Sequence, residues 1–245
     1  MLNYNSKQKI YESTKLGWLH GFTTRDWGLN RDWKQRSHTF STLLKTLYSN
    51  TSFYTPEQVH RHKVGLIQSV NGKKHSVISG CDALIGQKKI HQSQCLYIKT
   101  ADCVPLIITE DKNMLAAVIH SGWRGTYENI IKQTVNQLRK NGAQTAKLKA
   151  VIGPAIGACC YDIPQSRYLL FKNKYPDKIK LITFRSPHKM HLDLSKMCYL
   201  QLIEAGLLAA NITWQCLCTH CHEEMFFSFR RSQQSTGQLL TYVCL

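Results

Sequence analysis

Residues 115–126 read LAAVIHSGWRGT, a stretch that passes from strand to helix. The apolar run Leu115–Ile119, ending in His120, is of strand type. Gly122 and Gly125 then lead into a segment in which Ile130, Ile131, Thr134, Val135 and Leu138 share one helical face. The spacing predicts a helix over about 127–140, with Thr126 as its N-cap and Gly142 as its stop. A strand that passes through a glycine turn into a helix is a building unit of layered α/β folds. Such a turn also presents backbone N–H groups to an anion at the helix start. Arg124 adds a guanidinium fork there. His120 stands at the carboxyl end of its strand, a common active-site placement in α/β sheets. The plain alternative is a histidine satisfied inside a tight connection. The spacing GxxxxGK[ST] is absent, so this is not a Walker-type phosphate loop.

Upstream, residues 100–109 read TADCVPLIIT. A strand rich in Val and Ile places Asp102 and Cys103 at its entrance, and Pro105 suits a bulge or an edge. Other strand-type runs fall at 64–70, 76–79, 95–99, 149–153, 179–184, 211–216, 226–230 and 239–244. Further helices are expected at about 37–48, at about 194–205 opened by Asp193 or Ser195 and closed by Gly206, and more weakly at 165–175. Helices and strands interleave without a regular βαβ repeat. The expected class is therefore layered α/β (mixed α+β) with mixed sheets.

The 245 residues contain no linker rich in Ser, Gly or Pro and no repeat, so one domain over 1–245 is expected, with 1–19 as a lead-in. A hydrophobic share of 43% against 19% charged residues excludes a disordered chain. Thirty-two Lys and Arg against 15 Asp and Glu leave a net charge of +17, which points to anionic substrates or nucleic acid. The basic residues are scattered and no nucleic-acid motif stands out, so no specific nucleic-acid partner is expected. No apolar run has the length of a membrane span, and the N-terminus lacks the apolar core of a secretory signal. The expected location is the cytoplasm, off the membrane, where the ten cysteines stay reduced.

Three segments carry the chemistry. Cys103 can serve as nucleophile or soft metal ligand, though a core cysteine beside a turn-capping Asp102 is the plainer reading. His60 and His62 alternate in PEQVHRHKV (56–64), with Gln58 on the side of His60 if the segment is extended. His60, Cys103 and His120 together match a three-ligand zinc site with its fourth position open. A rival lies in QCLCTHCHEE (215–224), where Cys218 and Cys221 have CxxC spacing beside His220 and His222. A structural zinc needs a second pair, so a turn is the better reading there. After it, Arg230-Arg231 closes the aromatic run MFFSFRR and could hold an anion.

These segments, in this order, resemble the YfiH-like family, historically called polyphenol oxidase or laccase-domain proteins and also peptidoglycan editing factors. The matching stretches are HGFTTR (20–25), QVH (58–60), DAL (82–84), TADCVPL (100–106), HSGWRGT (120–126), IGPAIGACCYD (152–162), AGL (205–207), CT (218–219) and FFSFRR with TG (226–237). The resemblance implies an α/β/β/α layered domain and a metal centre of His60, Cys103 and His120. It implies about one zinc per chain, with copper belonging to the older laccase label. The implied activity is purine nucleoside phosphorolysis, with adenosine deamination as a second activity and methylthioadenosine as a further substrate. Multicopper oxidation needs several copper centres, and only one Cys–His–His set in this chain looks organised.

The chain departs from the family pattern in a shortened 26–40 segment, with Trp27 in place of a Gly-Gly pair, and in Gln238 where an Arg is usual. Phosphorolysis needs cations for phosphate, and Arg25, Arg124 and Arg230 are the candidates, with Gln58 counted among the substrate-binding residues. Deamination needs a proton shuttle, for which Asp102 is the candidate, beside Cys103 and His120. The partners are then a purine nucleoside and inorganic phosphate, with the chain a monomer or homodimer. Two alternatives remain. One is copper-dependent polyphenol oxidation. The other is a metal-free hydrolase in which Cys103 attacks and His120 is its base, acting on a peptidoglycan precursor.

Overall fold

Every residue of the strand Leu115–Ser121 is buried, because it runs through the middle of a sheet covered on both faces. Ala117 and Ile119 face a core that includes Ile130, Ile131, Val135 and Leu138 of the helix Ile130–Lys140. Ala116 and Val118 face the opposite way, into a core shared with Leu96, Ile98 and Val243 of a second sheet. The strand Val104–Glu110 alternates likewise, with Leu106 and Ile108 on the helix side and Ile107 on the sheet side. Period two with both faces apolar places helices, sheet and sheet in successive layers.

The computed structural model describes residues 1–27, 51–67, 75–88, 93–187, 189–233 and 236–245. The six-stranded sheet runs Ile212–Trp214, Lys149–Ile152, Val104–Glu110, Leu115–Ser121, Ala83–Gln87 and Val64–Leu66. Its outer pairs are parallel and its inner pairs antiparallel. The seven-stranded sheet runs Leu2–Asn5, Ile10–Ser13, His20–Thr23, Leu239–Cys244, Ser93–Thr100, Thr51–Pro56 and His75–Ile78. It too is mixed, since Thr51–Pro56 is parallel to both of its neighbours. A small sheet of Asp162–Ile163, Met190–Leu192 and Thr183–Arg185 lies apart from both. The layered α/β class with mixed sheets is the one expected from the sequence. The expected helix at 37–48 lies outside the described residues.

Several local expectations are corrected. Thr126 is not the cap of the long helix; it lies inside a short helix, Trp123–Glu128. Asn129, in the left-handed region at φ 60°, separates the two helices, and its side chain accepts from the Lys132 N–H. Residues 179–184 are not one strand. Ile179–Ile182 forms a single helical turn, with Ile179 and Ile182 buried three apart and Leu181 exposed, and only Thr183 onward is extended. Residues 226–230 are not a strand either, because the Ser228 hydroxyl accepts from Arg231 N–H and opens the helical turn Phe229–Ser232. Pro105 sits in an interior strand rather than at an edge. It lies one residue beyond the last pair with Lys149–Ile152, which is Leu106 with Ile152. Asp193 caps the helix Leu194–Glu204, as expected.

Candidate metal centre

Register brings the three expected ligands together. Pairing of His120 with Pro105, and of Ser121 with Val104, sets Cys103 beside Gly122 at one end of the six-stranded sheet. A Cβ on Gly122 would lie 3.1 Å from Cys103 Sγ and 3.5 Å from His60 Cδ2, so the bare backbone makes room for both ligands. His60 arrives from the loop after Thr51–Pro56, where the extended geometry expected of 56–64 fails. Gln58 and His60 have φ of 63° and 61°. Asp102, just ahead of Cys103, has φ of 90°. Three non-glycine residues at positive φ around one spot are backbone strain of the kind that functional sites hold.

Asp82 organises the centre. It is fully buried at the start of the strand Ala83–Gln87, which pairs with Leu115–Ser121. Its Oδ1 accepts from the His60 N–H at 2.8 Å and its Oδ2 from the Arg61 N–H at 2.8 Å. Oδ1 is also 2.8 Å from His120 Nδ1, and the Asp82 carbonyl accepts from the His120 N–H at 2.8 Å. The bond to Nδ1 leaves Nε2 of His120 as the outward-facing ligand atom. The ligand atoms of His60, Cys103 and His120 lie within 4.8 Å of one another, and the two imidazoles meet edge to face.

Burial opposes ionisation of Cys103. The charge of His120 and hydrogen bonds from His120 and His60 outweigh it, bringing the thiol down to about 6. Burial likewise opposes the charged form of His120, but Cys103 and Asp82 more than offset it and lift the imidazole to about 9. The pair therefore favours thiolate near neutrality, the form that ligates a metal or attacks an electrophile. One thiolate, two imidazoles and a carboxylate behind one of them fit a three-ligand divalent metal site with an outer-sphere carboxylate.

The fourth side opens into a cavity of about 520 Å³, lined beside the three ligands by Glu57, Gln58, Lys99, Phe229, Thr236 and Gln238 among others. Gln58 is fastened to the strand Ser93–Thr100 by two bonds to the Lys99 backbone, at 2.7 and 2.9 Å. Burial pulls the Lys99 ammonium below its ordinary pKa. Gln238, the departure noted in the sequence, is thus a cavity residue.

Of the expected substrate-binding residues, only Gln58 lines this cavity. Arg124 is exposed and stacks on Trp123 at 4.5 Å. Arg25 donates to the Glu223 carbonyl at 2.6 Å and covers Phe227. The Arg230 guanidinium is paired with Asp162 at 2.5 Å and faces a different cavity, lined also by Arg185 and Lys189. Asp102 does not line the metal-centre cavity. Its carboxylate accepts from Thr219 Oγ1 at 2.6 Å, Ser228 Oγ at 3.1 Å and Arg230 N–H at 2.6 Å. Those bonds make it the anchor of the 219–230 loop. Nothing in the sequence singles out Asp82 or Lys99; the stretch DAL (82–84) gives the place of Asp82 but not its role.

The fold and this site define a class: a layered α/β protein with mixed sheets and a His–Cys–His donor set at the mouth of a cavity. Within that class, the chain belongs to the family described as multi-copper polyphenol oxidoreductase laccase, which it matches over residues 20–245. It is 31% identical over 193 residues to adenosine deaminase RL5 from an unknown prokaryotic organism, covering 76% of this chain and 72% of that protein. It is 29% identical over 197 residues to a purine nucleoside phosphorylase of Bacteroides thetaiotaomicron, covering 78% and 72%. Among solved structures, the hypothetical protein YfiH of Bacillus licheniformis superposes with a TM-score of 0.87 at 22% identity, over 100% of this chain and 98% of that one. YlmD from Geobacillus stearothermophilus superposes with a TM-score of 0.84 at 23% identity, over 99% and 97%. Relatives with these names support a nucleoside-processing role. No helix among the described residues is long and apolar enough to cross a membrane.

Proposed function

We propose that this chain is a zinc-dependent purine nucleoside phosphorylase with adenosine deamination as a second activity, built as one domain and working in the cytoplasm. The observation that carries the reading is the convergence of His60, Cys103 and His120 on a cavity that also holds a cation and an aromatic ring. Its volume lies in the range of small-ligand pockets, about 300–1,000 Å³. His60, Cys103 and His120 would hold the ion, and zinc when bound supplies Lewis acidity there. Asp82 keeps the His120 ring in one tautomer. Phe229, exposed at the cavity, offers a face for stacking a purine, and Lys99 offers positive charge to inorganic phosphate. Gln58, held at both ends of its amide by Lys99, braces that lysine's strand rather than reaching freely for substrate. Multicopper oxidation is disfavoured because, among the described residues, no second group containing histidine accompanies the one Cys–His–His set, and such a set with its fourth side open suits zinc.

The arrangement Cys103–His120–Asp82 also favours a second reading, a metal-free hydrolase with Cys103 as nucleophile, His120 as base and Asp82 as orienting carboxylate. Metal analysis beside adenosine turnover, with and without phosphate, separates the two. Loss of about one equivalent of zinc per chain on Cys103→Ala, with loss of phosphate-dependent adenine release, supports the phosphorylase. Unchanged zinc content in that variant and no nucleoside turnover by the wild type would move the assignment to the hydrolase.

A further inference from the structure

Four cysteines outside this centre meet at one point. The sequence presents Cys218 and Cys221 as a CxxC pair without a partner pair. The fold supplies Cys159 and Cys160 from the turn after Lys149–Ile152, and all four sulfurs lie within 4.8 Å of one another. Cys221 Sγ is 3.5 Å from Cys159 Sγ and 3.4 Å from Cys160 Sγ. A tetrahedron with metal–sulfur bonds of about 2.3 Å has edges of about 3.8 Å, so these spacings suit one ion at the centre.

The backbone sets up the cluster independently of the thiols. Ala155 pairs with Cys218 as an isolated bridge, with Ala155 N–H donating to Leu217 O at 3.2 Å and Thr219 N–H to Ala155 O at 3.0 Å. Gly157 N–H donates to Cys218 Sγ at 3.2 Å, the kind of outer contact that stabilises a ligating thiolate. A Cβ on Gly157 would stand 3.1 Å from Cys159 Sγ and 3.4 Å from Cys218 Sγ, so glycine keeps the space clear. Core filling does not account for the group, since Cys159 and Cys221 are exposed. Nor does the geometry select one disulfide, because Cys221 is equally near two partners.

We propose that Cys159, Cys160, Cys218 and Cys221 form a second metal centre, separate from the His60–Cys103–His120 site, that binds a soft divalent cation, zinc in the first place. On binding, the four thiols lose their protons to solvent and four sulfur–metal bonds replace the ion's water ligands, with no change of oxidation state. With four protein ligands the site is closed and structural. It fastens the 155–161 turn to the loop bearing Thr219, whose hydroxyl donates to Asp102 next to Cys103. The second centre thereby positions the loop that anchors the entrance to the first.

The test uses the full chain carrying Cys103→Ala, which removes the first centre, so its outcome does not depend on the nucleoside reading. This variant is expected to retain about one zinc per chain. Reconstituted with cobalt, it should show thiolate-to-cobalt charge transfer and the intense visible bands of a tetrahedral ion. Adding Cys221→Ser should abolish both the retained zinc and those bands. Should the double variant fail to fold, alkylation of the single variant decides, read peptide by peptide. Zinc should protect Cys159, Cys160, Cys218 and Cys221, and a chelator should expose them together. A cobalt complex without thiolate bands, with equal labelling in zinc and in chelator, overturns the proposal. So does an intact mass lower by two hydrogens with two of the four joined as a disulfide.

Discussion

The Nδ1 of His120 lies 2.8 Å from Oδ1 of Asp82, and that same oxygen accepts the backbone N–H of His60. One buried carboxylate thus orients the ring of His120 and the main chain of His60. Replacing it with Asn keeps the size but turns an amide N–H₂ toward groups that are themselves donors. Asp82→Asn should weaken zinc binding by about 10–100-fold, the usual cost of losing an outer-sphere partner. Competition with a chromophoric chelator measures this directly, and an unchanged affinity would remove Asp82 from the centre.

Gly122 tests the packing around the ligands rather than their chemistry. Its φ of −74° and ψ of 177° are open to alanine, so Gly122→Ala brings no backbone strain. The added methyl stands 3.1 Å from Cys103 Sγ, and the thiol must yield. The expected result is a loss of metal content with a stability change of about 1–3 kcal/mol, the ordinary cost of overpacking. Elemental analysis and urea denaturation on one preparation separate the two effects.

Asp102 distinguishes a proton shuttle from an anchor. Its two oxygens already accept three bonds from the loop 219–230. Asp102→Asn replaces one acceptor with a donor facing donors, while Asn tolerates the positive φ better than most residues. The variant should lose about 1–3 kcal/mol of stability and keep the zinc bound at His60, Cys103 and His120. Deamination abolished at unchanged stability would restore the shuttle.

The motifs around Cys103 and His120 make most of the clustered donor set legible, because strand ends next to glycines and polar residues stand out against apolar runs. His60 was legible as a residue but not in its geometry, since nothing local announces the left-handed backbone at Gln58 and His60. Asp82 was obscured because its importance lies in bonds to residues far along the chain. The placement of the arginines is illegible for the opposite reason. Charge near a motif is visible in sequence, but whether a guanidinium stacks on Trp123, covers Phe227 or pairs with Asp162 is decided by tertiary packing. Lys99, one basic residue among 32, carried no local signal at all.

Acid should destabilise the protein partly through His20. This residue is buried, its Nε2 accepts the Ser13 N–H at 2.9 Å, and its Nδ1 faces the Trp18 carbonyl at 2.7 Å. Those partners require the neutral ring, and burial holds its pKa below the ordinary value. With the folded pKa depressed, the unfolded chain takes up the proton first. The contribution is therefore present above about pH 6.5 and is lost as the pH falls through the folded pKa. His20→Gln, which does not titrate, should show a shallower decline in unfolding free energy between about pH 7.5 and 5. Both proteins are compared metal-free, so that acid release of metal is not read as linkage; parallel curves would clear His20.

Lys99 and Arg124 make opposite predictions for phosphate. Lys99 lines the cavity at the metal centre, whereas Arg124 lies on the surface against Trp123. A hydrogen bond to a charged group contributes about 1.5–3 kcal/mol, so Lys99→Met should raise the KM for phosphate roughly 10–100-fold. Lys99→Arg should recover part of that loss, because charge rather than shape is the requirement. Adenosine deamination consumes no phosphate and should change far less in Lys99→Met. Arg124→Ala should leave the phosphate KM where it was. Gln238→Arg should lower it, since it adds a cation to the wall that Lys99 shares. Steady-state phosphorolysis at saturating nucleoside reads all four variants on one scale. A phosphate KM that responds to Arg124 and ignores Lys99 would move the anion site out of this cavity to the helix at Trp123.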